Sequence, residues 1–221
     1  MKIELIKNRI SSEQYEVLVN EKIAELRPAQ EKAVKKGLLE GKNLLVCTPT
    51  ASGKTLIAEL ACFKAVFERK GKAVYIVPLK ALASEKYNDF KRKYGKKAKI
   101  ALSIGDSDSS DSYLANYDVI ITTSEKLDSL IRHKISWLPE IKVVVVDEVH
   151  LLNDAKRGPT LEIILTILKH LLKKAQIIAL SATIGNPKEL AEWLDAELVE
   201  DDWRPVKLEK GVYFGGEIEF H

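Results

Sequence analysis

Six short runs of this chain are apolar nearly throughout rather than at alternate positions. They are NLLVC (43–47), AVYIV (73–77), KIALS (99–103), DVIIT (118–122), KVVVVD (142–147) and QIIALS (176–181). A strand that is apolar on both faces has to be covered on both faces, which is the pattern of a parallel sheet sandwiched between helices. Between the runs, apolar residues recur at helical spacing over 54–68, about 80–94, 124–132, 158–172 and 187–194. Strands and helices in alternation predict one α/β domain, doubly wound, with a largely parallel sheet. Ligands of such sheets bind beyond the carboxyl ends of the strands.

The segment before the first strand reads as helical. SEQYEVLVNEKIAEL (12–26) sets Tyr15, Val19, Ile23 and Leu26 at helical spacing, and Ser11 with Gln14 three residues on fits a capping box. A second helix is expected from Pro28 to Leu39, stopping before Gly41. For the last helix, Asn186, Pro187 and Glu189 supply an N-cap, a first-turn proline and a capping-box acid. A length of 221 residues suits one such domain.

At the end of the first strand stands TPTASGKT (48–55), followed by a helix. Gly53-Lys54-Thr55 matches the end of the P-loop pattern, in which backbone N–H groups and the positive end of a helix surround phosphates. Lys54 would reach the β- and γ-phosphates and Thr55 would ligate Mg²⁺. The leading glycine of the pattern is Thr48.

At the end of the fifth run, VVVVDEVH (143–150) carries four valines into two adjacent carboxylates. A buried parallel strand would deliver Asp147 and Glu148 to the same sheet edge as the P-loop. Asp147 is then placed to hold a hard divalent cation alongside phosphate oxygens. Glu148 is placed to orient and deprotonate a water aimed at the γ-phosphate.

The P-loop, DEVH and SAT (181–183) together resemble the first motor domain of a superfamily 2 helicase of the DExH-box kind, a RecA-like P-loop domain. Arg27-Pro28-Ala29-Gln30 resembles the adenine-reading glutamine motif, and VPLKALASEK (77–86) resembles motif Ia. SIGD (103–106) and TTSEK (122–126) resemble further nucleic-acid motifs. RGPTLE (157–162) points to the Ski-type branch, and DDWRPVKLEKGV (201–212) is similar to the domain exit of archaeal fork-processing DNA helicases. The resemblance implies that ATP is the nucleotide, with Gln30 on adenine and Thr50, Ala51, Ser52, Gly53, Lys54 and Thr55 around the phosphates. It implies Thr55 and Asp147 as the metal residues. It makes Lys54, Asp147, Glu148 and His150 the catalytic set, with His150, Ser181 and Thr183 coupling nucleotide state to nucleic-acid grip.

The resemblance also implies a single strand or fork, with DNA favoured over RNA, lying across the top of the domain, and a second motor domain of the same parent chain as partner. An RNA helicase of the exosome-feeding type and a nucleotide-dependent clamp that does not unwind are the alternatives. Thr123 and Ser124 precede a helix, and a helix N-terminus with hydroxyls is an anion site. Lys80 and Lys126 lie near such termini, and Gly105 lets a backbone approach closely. KRKYGKKAK (91–99) holds six basic residues but reads as a solvated helix end, whose cations suit the macrodipole ahead of a Gly95 cap.

These expectations divide the chain into an N-terminal helical segment (1–25), the ATP-binding domain (26–205) and a linker opening a missing second domain (206–221). Cys47 and Cys62 read as core hydrophobes of a reducing, cytoplasmic compartment. Apolar runs too short to span a bilayer argue against a membrane partner. The net charge of +3 permits nucleic acid without arguing for it.

Overall fold

The computed structural model describes residues 1–68, 71–105, 112–206, 209 and 211–220. Most of the polar stretch 105–113, Asp106 of SIGD, and residues 207, 208 and 210 of the exit segment lie outside the described residues.

Two helices, α1 (Ser12–Asn20) and α2 (Pro28–Lys35), lead into an alternating series. In chain order it runs β1 (Leu44–Cys47), α3 (Lys54–Phe67), β2 (Lys72–Val77), α4 (Lys80–Tyr94), β3 (Ile100–Ser103) and β4 (Val119–Thr123). It continues with α5 (Ser124–Arg132), β5 (Ile141–Val146), α6 (Gly158–Leu171), β6 (Gln176–Ser181), α7 (Pro187–Trp193) and β7 (Glu197–Glu200). These seven strands form one parallel sheet in the order β3-β4-β2-β5-β6-β1-β7. A separate antiparallel hairpin, β8 (Gly211–Phe214) with β9 (Glu217–Phe220), follows.

The four valines of β5 show why the strands are apolar throughout. Val143 and Val145 pack into the layer holding α1 to α4, beside Ile57, Leu60 and Phe63 of α3. Val144 and Val146 pack into the layer of α5 to α7, beside Leu127, Leu161 and Ile164. Each buried valine contributes about 1.5–3 kcal/mol relative to exposure, so a polar residue at any of the four would be costly. The N-terminal segment shares the first layer: Ile3, Ile6, Val17 and Leu18 join the same cluster as α3.

Several local expectations need correcting. Helix α1 ends at Asn20, and Lys22 takes a positive φ of 57°. Its buried face is Gln14, Val17 and Leu18, while Val19 is half exposed. Ser11 Oγ does accept from Gln14 N, but the Gln14 amide turns inward to Leu60 O instead of completing the box. Helix α2 stops four residues early because Gly37, at φ 101°, turns the chain before Gly41 is reached. Asn186 caps no backbone amide with its side chain, which bonds Glu189 Oε2. Strand β7 went unforeseen because ELVE exposes three of its four residues to some degree and occupies the sheet edge beside β1.

At the basic run, Gly95 caps the C-terminus of α4 at φ −62°, with its N–H on Lys91 O. Three of the run's six cations are ion-paired rather than only solvated: Arg92 makes a fork to Glu21, Lys93 bonds Glu59 and Asp89, and Lys97 bonds Glu16.

Candidate nucleotide site

Strand β1 runs straight into the P-loop. Thr48, at the position of the missing glycine, is fully buried. Its amide extends the ladder to Ser181 O at 3.2 Å, and its hydroxyl bonds Ser52 Oγ at 2.7 Å. The threonine thus fastens the loop's two ends, which a glycine cannot do. Two left-handed residues follow, Ala51 at φ 65° and Gly53 at φ 93°. Gly53 is the N-cap of α3, and no described side chain caps that helix. Leu56 N bonds Gly53 O at 3.2 Å, which leaves the amides of Lys54 and Thr55 for a ligand at the positive end of the dipole. A Cβ on Gly53 would lie 2.5 Å from Gln30 Nε2, so glycine is required there by both angle and space.

Residues from α2 brace the loop from outside. Gln30 is buried; its Oε1 accepts from Arg27 N at 2.8 Å and its Nε2 donates to Gly53 O at 2.9 Å. Arg27 donates to Ala51 O at 2.8 Å and stacks its guanidinium over Trp203, 5.5 Å from the ring centroid. Asp201, just before that tryptophan, pairs with Lys32 of α2 at 2.9 Å. The exit segment is thereby tied to the helix that braces the loop.

Strand β5 ends beside β2. Asp147 N still bonds Ile76 O, after which Glu148 turns the chain with a φ of 54°. Asp147 Oδ2 accepts from the Tyr75 hydroxyl at 2.9 Å, and Oδ1 accepts from Glu148 N at 3.1 Å. Burial, then the Asp147 charge, holds the Tyr75 hydroxyl protonated far above its ordinary range, so it remains a donor. His150 Nδ1 lies 3.4 Å from Glu148 Oε2 but is not aligned for a hydrogen bond, and it has no other such partner among the described residues.

Lys54 links the loop to β6. Its Nζ donates to Thr48 O and Ser181 O, both at 2.9 Å. Burial lowers its pKa from the usual lysine value, opposed by the charges of Glu148 and then Asp147. On the far side, Lys86 of α4 donates to Thr55 Oγ1 at 2.9 Å.

The sequence-predicted residues therefore gather at one sheet edge. Thr50 and Ala51 are exposed, Gly53, Lys54, Thr55, Asp147, Glu148 and His150 are half-buried, and Ser52 and Ser181 are buried. Thr183 is exposed two residues past β6. Of the expected strand-contacting residues, Lys80 is exposed and Gly105, at φ 141°, has open space beside its Cα. Thr123, Ser124 and Lys126 are buried, and the Thr123 hydroxyl accepts from Lys126 N as an N-cap. Tyr75 and Lys86 were missed. The signal for Tyr75 was a hydroxyl inside an apolar strand; Lys86 had none beyond its place in the motif Ia stretch.

The DEAD/DEAH box helicase family model matches residues 27–190. The ATP-dependent DNA helicase Hel308 of Pyrococcus abyssi (strain GE5 / Orsay) is 55% identical over 207 residues, covering 94% of this chain and 28% of that protein. Hel308 of Methanocaldococcus jannaschii is 58% identical over 212 residues, covering 93% of this chain and 18% of that protein. The chain thus spans less than a third of these relatives' length. Among solved structures, that of the DUF1998 helicase MrfA superposes with a TM-score of 0.74 at 29% identity, over 87% of this chain and 33% of that one. MrfA bound to DNA and AMPPNP gives 0.72 at 28% identity, over 88% and 29%.

Proposed function

The chain belongs to the DEAD/DEAH box helicase family, and from that premise we propose that it is the ATP-binding first motor domain of a DNA helicase that couples ATP hydrolysis to movement along a single strand. One observation carries the reading. The start of α3, with no side-chain cap, carries Lys54 onto Ser181 O at the end of β6, and β6 lies between β1 and β5, so the P-loop and the Asp147-Glu148 pair share the carboxyl end of the sheet.

In this reading Lys54 leaves its two carbonyl partners for the β- and γ-phosphates, while the amides of 51–55 close around them. Glu148 orients a water and takes its proton, and the lone Nδ1 of His150 beside it finds a partner when nucleotide and strand are both bound. Gln30 keeps its brace on Gly53 and meets adenine at the loop's edge. Ser181 and Thr183, joined to the Lys54 ammonium through β6, pass the state of that lysine onward. Thr55 and Asp147 are hard oxygen donors of the kind Mg²⁺ takes, and a cation already rests on Thr55 in the form of the Lys86 ammonium. Mg²⁺ there would neutralise phosphate charge during transfer.

The nucleic acid is proposed to lie across Lys80, Gly105 and the 122–126 turn, held through phosphates and therefore with strong salt dependence. The relatives named Hel308 are DNA helicases, which favours DNA over RNA. On the same reading residues 26–205 form the motor domain, with residues 1–25 packed onto it and residues 206–221 leading to a second motor domain. The test uses the complete parent protein: steady-state ATPase with and without single-stranded DNA or RNA, and unwinding of matched forks. DNA-stimulated turnover with unwinding is expected. Turnover indifferent to any nucleic acid would refute the reading.

A further inference from the structure

Helices α3 and α4 lie against each other along a polar seam. Thr55 and Glu59 stand one turn apart on α3, and Lys86, Asp89 and Lys93 follow one another along α4. A cavity of about 550 Å³ opens between this seam, residues 22–25 and the Arg27–Gln30 brace. The two lysines are held differently. Lys93 is ion-paired to Glu59 and Asp89, both at 2.9 Å, and Glu59 also accepts from the Tyr94 hydroxyl at 2.8 Å. Lys86, half-buried, has a neutral hydroxyl as its described hydrogen-bond partner: Thr55 Oγ1, at 2.9 Å.

That hydroxyl is the one the proposed nucleotide site offers to a divalent cation. A threonine oxygen has two lone pairs, so an ammonium and a metal ion can both point at it. They would then be like charges within about 5 Å of each other, taking about 2.1 Å for a magnesium–oxygen bond and 2.9 Å for the lysine. At that separation, beside half-buried Lys86, such repulsion is only partly screened.

We propose that Lys86 is a positioning residue that stands in for the divalent cation: it holds the Thr55 hydroxyl and supplies positive charge to nucleotide phosphates when metal is absent, and it is displaced when metal enters. The inference rests on the nucleotide-site reading. It adds that metal entry is a competition with a side chain of α4, the helix that begins at Lys80 on the proposed strand-binding edge.

The test is binding of a fluorescent ADP derivative to the 221-residue chain, once in EDTA and once across a Mg²⁺ titration, with thermal melting as a folding check. Lys86→Met removes the charge and keeps the length; Lys86→Gln is a second neutral variant, and Lys86→Arg keeps the charge. Both neutral variants should weaken metal-free ADP binding about tenfold and lower the half-saturating Mg²⁺ of the ADP complex about tenfold. Lys86→Arg should follow the unsubstituted chain. A neutral variant that loses ADP affinity equally with and without Mg²⁺, or that changes neither quantity, would overturn the proposal while leaving the nucleotide site intact. Absence of ADP binding to the unsubstituted chain under both conditions would overturn the site reading and this inference together.

Discussion

Two strand-to-helix turns at the same sheet edge look alike in sequence and differ in structure. Both the turn from β1 to α3 and the turn from β4 to α5 place threonine and serine before a helix, and both read as anion sites. In the first, Gly53 is the N-cap, left-handed, with no described side chain on the helix amides. In the second, the Thr123 hydroxyl accepts from Lys126 N, and Ser124 and Lys126 are buried. A helix dipole attracts anions in both places, but an anion also needs amide hydrogens to bond. The first turn offers those of Lys54 and Thr55, with Leu56 N already on Gly53 O and the loop before them left-handed at Ala51 and Gly53. The second has already supplied its own acceptor, so its threonine serves the helix before it can serve a phosphate.

The largest effect should appear in turnover, at Glu148, the residue after β5 that serves the first turn's nucleotide. In the complete parent protein Glu148→Gln keeps size and hydrogen bonding and loses the base. ATP hydrolysis should fall by a factor on the order of 10² or more, with ADP affinity preserved. Normal turnover by this variant, measured as phosphate release, would remove Glu148 from the mechanism.

Gly53→Ala should come next. It forces a side chain into a left-handed conformation, costing about 1–2 kcal/mol, and sets a methyl against the Gln30 amide. ADP affinity should drop about tenfold, and the melting temperature should fall by a few degrees. An alanine variant that binds ADP normally would mean the loop is looser than its brace implies.

The smallest effect belongs to the second turn. Thr123→Ala removes a cap and should cost about 1 kcal/mol, seen as about 2–4 °C in melting temperature for a domain of this size. Thr123→Ser should restore most of it. Loss of single-strand binding without loss of stability would reverse the comparison and make that hydroxyl a phosphate ligand.

The sheet was legible because its strands are buried on both faces, so apolar runs marked them to within a residue or two. The P-loop and the Asp147-Glu148 pair were legible because each sits where a strand ends. What escaped was set by tertiary packing. Edge strand β7 lacks a continuous apolar run, and α1 ends where Lys22 turns left-handed, which no helical spacing reveals. At the site, Tyr75 reaches Asp147 across neighbouring strands 72 residues apart, and Lys86 reaches Thr55 between two helices. The ion pairs of the basic run at 91–99 likewise need Glu16 of α1, Glu21 just past its end and Glu59 of α3.

The comparison is tested most directly by calorimetric titration of ADP with Mg²⁺ into three forms of the 221-residue chain: unsubstituted, Lys54→Ala and Thr123→Ala. Charge-assisted hydrogen bonds contribute about 1.5–3 kcal/mol each, so Lys54→Ala should weaken ADP about 10- to 100-fold. Thr123→Ala should bind ADP as the unsubstituted chain does. Undiminished binding by Lys54→Ala, or loss of binding by Thr123→Ala with its fold intact, would contradict the account and place the phosphate site at the other turn.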